Sequence, residues 1–364
     1  MFVLFLSSAF ACQQSGQMAS LQEALNSITA EGLAAHIQRL ASDEFEGRAP
    51  ASRGEELTVR YLIEQFQRFG LRPGNPDGTY IQKVPLVGIT ADPSASLAIT
   101  AGGKRMMLRY GEDFVAWTRR VVETSRVEAD LIFVGYGVQA PEFQWDDFKG
   151  ADVKGKVLVV LINDPPVPDP NDPSRLDERV FGGRAMTYYG RWTYKFEKAA
   201  ELGAAGALII HETEPAGYPW AVVRGSWTGE QFDLVAPDRN MSKCAVEGWI
   251  TYERAKALFA MVGKDLEALK KAAINRDFRP VPLGARMTLT LRNTLRTIES
   301  RNVIARLEGS DPKLKEEYVI YVAHWDHLGI GPEVNGDRIY NGAVDNASGT
   351  AGLLEIARAY ARLR

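Results

Sequence analysis

The sequence predicts an α/β protein, a mixed sheet flanked by helices and interrupted by an inserted module. Three observations carry this expectation. Apolar runs of strand length, "ADLIFVGYGV", "GKVLVVLIN" and "GALIIHE", surround a helical stretch, "RWTYKFEKAAELG", which is the order of a strand, a crossover helix and a strand. Further strand patterns, "RMTLTLRN" and "YVIYVAH", follow that unit, and a capped amphipathic helix precedes it. A chain of 364 residues also suffices for two packed domains of about 150 residues each.

The opening "MFVLFLSSAFAC" is apolar, too short to span a bilayer, and ends in Ala9-Phe10-Ala11, the small-x-small pattern of a secretory cleavage site. Residues 1–18 are therefore expected to form a signal peptide, or a lipoprotein leader with the lipid on Cys12. Export follows, to a bacterial periplasm, to the medium, or to a membrane through that lipid. No Lys or Arg precedes Arg39, which departs from the charged start of a signal peptide.

Ser52 to Gly70 reads as a helix, because Ser52 and Glu55 form a capping box and Leu57, Tyr61, Leu62, Phe66 and Phe69 make one apolar stripe. Gly70 ends it, with Pro73 beyond. From Tyr80 to Trp117 short alternating strands predict hairpins, with "SLAIT" and "RMMLRY" flanking Ala101-Gly102-Gly103. The crossover unit begins near Val127, and its "NDPPVPDPNDPSRLDE" reads as a solvated loop, since it lacks the spacing and glycine of a calcium loop. Two charged helical stretches follow from Thr251 to Asn275. "RMTLTLRN" then alternates Met287, Leu289 and Leu291 against Thr288, Thr290 and Arg292, the period of a half-buried strand. The expected division is one domain of residues 19–125 and 286–364, interrupted by a module of residues 126–285.

A net charge of -3, with no clustered basic surface, argues against a nucleic-acid partner. The two cysteines, Cys12 and Cys244, exclude a disulfide framework and a Cys-type zinc knuckle, so any metal site must use His and carboxylates. Cys244 reads as buried packing, and His211 as a strand-end surface residue.

The chemistry concentrates at the end of "YVIYVAHWDH". Alternation along an extended strand puts His324 and Asp326 on one side and Trp325 and His327 on the other. A metal-bound imidazole usually gives its second N–H to a carboxylate, so His324 is the candidate metal ligand, Asp326 the catalytic-site residue that orients it, and His327 structural. Asp345 stands before a helix whose first turn, Ala347, Ser348, Gly349 and Thr350, is built of small residues. A carboxylate there is also an ordinary N-cap, with Asp345 or Asn346 accepting backbone N–H bonds.

Together "AHWDHLGIG" and "IYNGAVDNASGTAGLLEIARAYA" resemble the zinc aminopeptidase family that includes bacterial leucyl aminopeptidase, aminopeptidase Y and glutamate carboxypeptidase. "LASDEFEGRAP" and "SRNVIARLEGSD" resemble the family's catalytic domain. "GYGVQAPEFQWDDFKGADVKGKVLVVL" and "YKFEKAAELGAAGALIIHE" are similar to its inserted protease-associated domain. The resemblance implies a zinc-exopeptidase fold and two zinc ions, with His324 on one, Asp345 bridging both and Asp326 orienting His324. It also implies peptide substrates, from which N-terminal residues are removed by metal-assisted hydrolysis. Val344 departs from it, since many relatives carry a second acid there. The family's general-base glutamate and its later ligands lie further along than Asp345. The chain is therefore expected to be the N-terminal part of a longer enzyme and to be inactive alone. Glu355 reads as an ion-pair or packing partner. A surface or periplasmic binding relative without catalysis is the alternative, ahead of a one-zinc cyclase of similar fold.

Overall fold

A computed structural model describes residues 20–363. The leader expected over residues 1–18, with Cys12, lies outside the described residues. The chain divides into two compact units, residues 1–85 with 298–364, and residues 86–297. These junctions differ from the expected ones near 125 and 286. Strands ahead of residue 125 are built into the sheet of the second unit: Ser96–Ala101 pairs with Val281–Val303 across Arg286 to Leu289, and Phe114–Trp117 pairs with Val246–Thr251. Both junctions fall inside continuous strands, Ile81–Ala91 and Val281–Val303, where no loop composition marks them.

The second unit is organised by a mixed sheet. Thr124–Phe133, Val157–Leu161, Gly206–His211 and Val246–Thr251 run parallel in that order, and Phe114–Trp117 and Val281–Val303 add antiparallel neighbours. The helix Trp192–Glu201 makes the crossover between the second and third of these strands. Val157, Val159, Leu161, Leu208 and Ile210 join one core cluster, while Leu158, Val160, Ala207 and Ile209 join another. Alternate residues thus serve opposite faces, so both faces are covered and the strands are continuously apolar. The expected hairpin closes at Ala101↔Lys104, with Gly102 and Gly103 at φ +54 and +80, a turn that needs two positive φ values. Cys244 is a buried free thiol, and its burial pushes the pKa up to about 12.

His211 is not the surface residue expected at a strand end. It is 4% exposed, its Nε2 lies 3.0 Å from the Tyr218 carbonyl, and Trp220 and Trp249 pack on its ring. The helices Thr213–Ala216 and Trp220–Trp227 follow it directly, and Tyr218 between them and Trp220 at the start of the second cover the strand end.

In the first unit the helix Arg53–Arg68 begins as its capping signal requires: Ser52 Oγ accepts from Glu55 N at 3.3 Å, and the Glu55 carboxylate returns to Ala51 N at 2.5 Å. Val59, Leu62 and Phe66 bury its inner face with Trp325 and with Leu354 of the helix Gly349–Ala361. An earlier helix, Ala30–Leu40, is capped by Thr29. The run read as the strand "YVIYVAH" has no strand partner among the described residues, and Val319, Ile320 and Val322 are 83%, 78% and 85% exposed. A strand needs a neighbour to satisfy its backbone, and local propensity alone does not supply one.

Glu355 is 1% exposed and lies 3.5 Å from His36 Nε2 and 2.5 Å from Arg358 Nη2, while His36 Nδ1 meets Tyr61 Oη at 2.6 Å. Burial lowers the pKa of His36 and of His211 below the ordinary 6.5.

Two outcomes follow. Leu208→Ala, at a side chain with no exposure, should lower the stability of the second unit by about 2–5 kcal/mol in urea unfolding. As pH falls below about 6.5, the unfolded chain takes up protons that His36 and His211 refuse when folded. Their contribution to stability is therefore present above that pH and lost below it. Urea midpoints compared between pH 7.5 and 5.5 should fall in the wild type and fall less in His36→Gln.

Candidate functional site

Two short loops of the first unit carry the site. One, around His324 to His327, is anchored by a buried aromatic side chain: Trp325 is 9% exposed, sits among Val59, Leu62 and Phe66, and donates its Nε1–H to the Arg301 carbonyl at 3.0 Å. The His324 carbonyl accepts from Asn346 Nδ2 at 3.2 Å and from Thr350 Oγ1 at 3.1 Å, which ties this loop to the start of the helix Gly349–Ala361. With Trp325 turned inward, His324 and Asp326 are turned out, and their side chains are 56% and 44% exposed.

The other loop runs from Asn341 to Asn346, at the end of a hairpin made by Gly329–Val334 and Asp337–Tyr340. Asn335 and Gly336 form its two-residue turn at φ +54 and +87. An Asn-Gly pair between strand-length runs announces such a hairpin, and it is the local signal that a reading centred on the polar residues passes over. Gly342 has φ +61, and a Cβ there would lie 2.5 Å from His327 Cγ and 2.7 Å from Arg48 Nη2, so the close approach of the two loops requires glycine. Asn346 Oδ1 accepts from Gly349 N at 3.1 Å. The helix cap is thus supplied by Asn346, which leaves the Asp345 carboxylate turned toward the histidines.

Between the loops lies Arg48, which the sequence offers only as one residue of "DEFEGRAP". Its side chain is wholly buried. The guanidinium donates from Nε to the Trp325 carbonyl at 2.8 Å, from Nη1 to the carbonyls of Leu40 and Asn341 at 2.5 and 2.7 Å, and from Nη2 to the Gly342 carbonyl at 2.8 Å. Its own carbonyl accepts from His327 N at 3.3 Å. Hydrogen bonds from a charged donor contribute about 1.5–3 kcal/mol each, and an orphaned buried acceptor costs about 1–3 kcal/mol. Burial lowers the Arg48 pKa, and the charges of Asp326 and Asp345 oppose that shift. Asn341 adds Nδ2 bonds to the Ala41 carbonyl at 2.9 Å and to Asp43 Oδ1 at 2.8 Å.

The outcome is a convergent set of side chains. His324 Nδ1 lies 3.3 Å from Asp326 Oδ1, and His324 Nε2 lies 3.2 Å from Asp345 Oδ1. The other Asp345 oxygen, Oδ2, lies 3.8 Å from His327 Nδ1. The structure therefore brings together all three residues expected at the site. It departs from the expected facing of His327, whose ring, 17% exposed, lies toward Asp345. Burial lowers the His327 pKa, the Asp345 charge raises it, and Arg48 adds to the lowering.

If the His324 Nδ1–H points at Asp326, its Nε2 lone pair faces a carboxylate oxygen. Two acceptors at 3.2 Å repel unless a cation stands with them, either a proton or a metal ion. A tetrahedral zinc at about 2.0–2.1 Å from two donors holds those donors about 3.3 Å apart, so the spacing and the nitrogen and oxygen donor set fit zinc. His324 and Asp345 supply two donors, and among the described residues no group of three or more His, Cys, Asp or Glu side chains is arranged to hold a metal.

Residues 302–364 match the family model described as Peptidase family M28. A curated relative from Homo sapiens, "BOS complex subunit NCLN", is 27% identical over 180 residues, which is 46% of this chain and 29% of that protein. Among solved structures, the chain is similar to an aminopeptidase from Aneurinibacillus sp., with TM-score 0.41, 21% identity, and 92% of this chain and 59% of that one covered. A Peptidase M28 precursor from Shewanella amazonensis gives TM-score 0.44, 16% identity, and coverage of 94% and 62%. The chain thus spans less than a third of the curated relative, at 29%, and about three fifths of these solved chains, at 59% and 62%. The matched residues 302–364, which hold His324, Asp326 and Asp345, are similar to peptidase family M28.

Proposed function

We propose that this chain contributes to a zinc-dependent exopeptidase of aminopeptidase type, which removes N-terminal residues from peptides. The single observation that carries the reading is the opposition of His324 Nε2 and Asp345 Oδ1 at 3.2 Å, inside a segment of a peptidase family. In this reading His324 and Asp345 would hold zinc, and Asp326 fixes the His324 ring. Bound zinc would supply a water of lowered pKa and a centre that polarises the scissile carbonyl. The residues of the chain do the rest of the preparation. Asp326 accepts from Nδ1, selecting the tautomer that leaves Nε2 free to donate its lone pair. Asn346 takes the helix cap, so the Asp345 carboxylate is not consumed by backbone N–H groups. The exposure of all three side chains, 56%, 44% and 69%, leaves the pair open to solvent and to a peptide.

The unit of residues 86–297 is read as the protease-associated module, supported by its parallel strands covered on both faces. A second reading is favoured by the name of the curated relative, a complex subunit, and by the exposed apolar run from Tyr318 to Val322. In it the fold serves assembly without hydrolysis. Metal binding separates the two. Equilibrium dialysis against zinc should show uptake by the wild type, loss of uptake in His324→Ala and in Asp345→Asn, and affinity lower by about 10–100-fold in Asp326→Asn. Undiminished zinc in both ligand variants removes the assignment and leaves the assembly reading.

A further inference from the structure

We infer that Arg48 is a positioning residue for the His324–Asp345 pair, an inference that rests on the zinc-site reading just given. The reason is where its bonds end. One donor holds the carbonyl of Trp325, the residue between His324 and Asp326, and two others hold the carbonyls of Asn341 and Gly342, at the start of the loop that carries Asp345. The fourth bond, to the Leu40 carbonyl, references both loops to the end of the helix Ala30–Leu40. A guanidinium is a rigid planar fork, so the carbonyls that share it are fixed relative to one another. Lysine can keep the charge but not the fork.

Backbone conformation adds a second argument. Arg48 sits at φ +54, a region that favours glycine, and the two residues before it, Glu46 and Gly47, are also at positive φ. This turn carries the side chain inward, where its carbonyl acceptors lie. An arginine kept at such a φ, wholly buried and without a hydrogen-bonded carboxylate, is placed at a cost that its contacts with the two loops offset. Beside the His324–Asp345 and His327–Asp345 contacts themselves, the loops are tied to each other and to the helix start by the Asn346 and Thr350 bonds to the His324 carbonyl.

The test uses the full chain with 15N-labelled histidine and two readouts. The first is metal-free: the nuclear Overhauser contact between the His324 ring and the Asp345 β protons. The second is the shift of the His324 ring nitrogens on adding zinc. Arg48→Lys should lose the contact and lower zinc affinity by about 10–100-fold, as the loss of an orienting partner does. Arg48→Gly, which relieves the positive φ and leaves a guanidinium-shaped cavity, should lose both signals and regain both with millimolar guanidinium ion. A contact that persists in Arg48→Lys at wild-type strength overturns the inference, as does a contact missing from the wild type. Collapse of all first-unit signals in both variants, unrescued by guanidinium, assigns Arg48 to general stability and also overturns it. If the wild type takes up no zinc while the contact still follows Arg48, the zinc reading falls and the positioning role stands.

Discussion

The first unit depends on a buried cation that answers to backbone carbonyls. Among the described residues Arg48 has no carboxylate within hydrogen-bond distance, and its charge is met by four carbonyl dipoles from Leu40, Trp325, Asn341 and Gly342. Three of these acceptors lie nearly 300 positions from Arg48 in the chain, at separations of 277, 293 and 294 for Trp325, Asn341 and Gly342. Closing so long a loop is unfavourable in entropy, though only logarithmically so in its length. Several charge-assisted bonds made at one point can offset that cost where scattered apolar contacts would leave the loops loose. The carboxylates of Asp326 and Asp345, at opposite nitrogens of the His324 ring, then lie in the field of the guanidinium.

How much of this was legible in the sequence divides along one line. Elements whose signal is local were readable: the Ser52 cap and the stripe of Leu62 and Phe66, the Gly102-Gly103 hairpin, the alternation of Met287, Leu289 and Leu291, and the apolar strands of the second unit. Elements whose signal depends on a distant partner were not. "YVIYVAH" has every local mark of a strand and, among the described residues, no strand to pair with, and the junctions between units lie within strands that continue through them. His211 looked like a surface residue because nothing nearby shows that Trp220 and Trp249 fold back over it.

The site divides in the same way. His324 and Asp326 could be named because a histidine with a carboxylate two residues on is chemically conspicuous, whereas Asp345, locally an ordinary N-cap, could be named only through the resemblance to the zinc aminopeptidases. Arg48 could not, since an arginine amid Asp43, Glu44 and Glu46 suggests a surface ion-pair network, and only the positive φ values from Glu46 to Arg48 turn it inward. Asn335-Gly336 was readable and marks the hairpin that delivers Asp345. Asn346 illustrates a finer point: sequence alone left the helix cap open between two neighbours, and the hydrogen bond to Gly349 decides it.

The cost of this arrangement bears on its purpose. An exposed ion pair contributes about 0–1 kcal/mol, and here both members are more than half exposed, at 56% and 69%. Stability therefore gives little reason to hold His324 Nε2 against Asp345 Oδ1. Yet the chain uses a buried guanidinium, a glycine that no side chain could replace without moving His327, and two bonds to one carbonyl to keep those atoms 3.2 Å apart. Interactions worth several kcal/mol support a contact worth almost none. Such an inversion is intelligible when the contact is half of something larger, a place for a cation that needs both donors presented together.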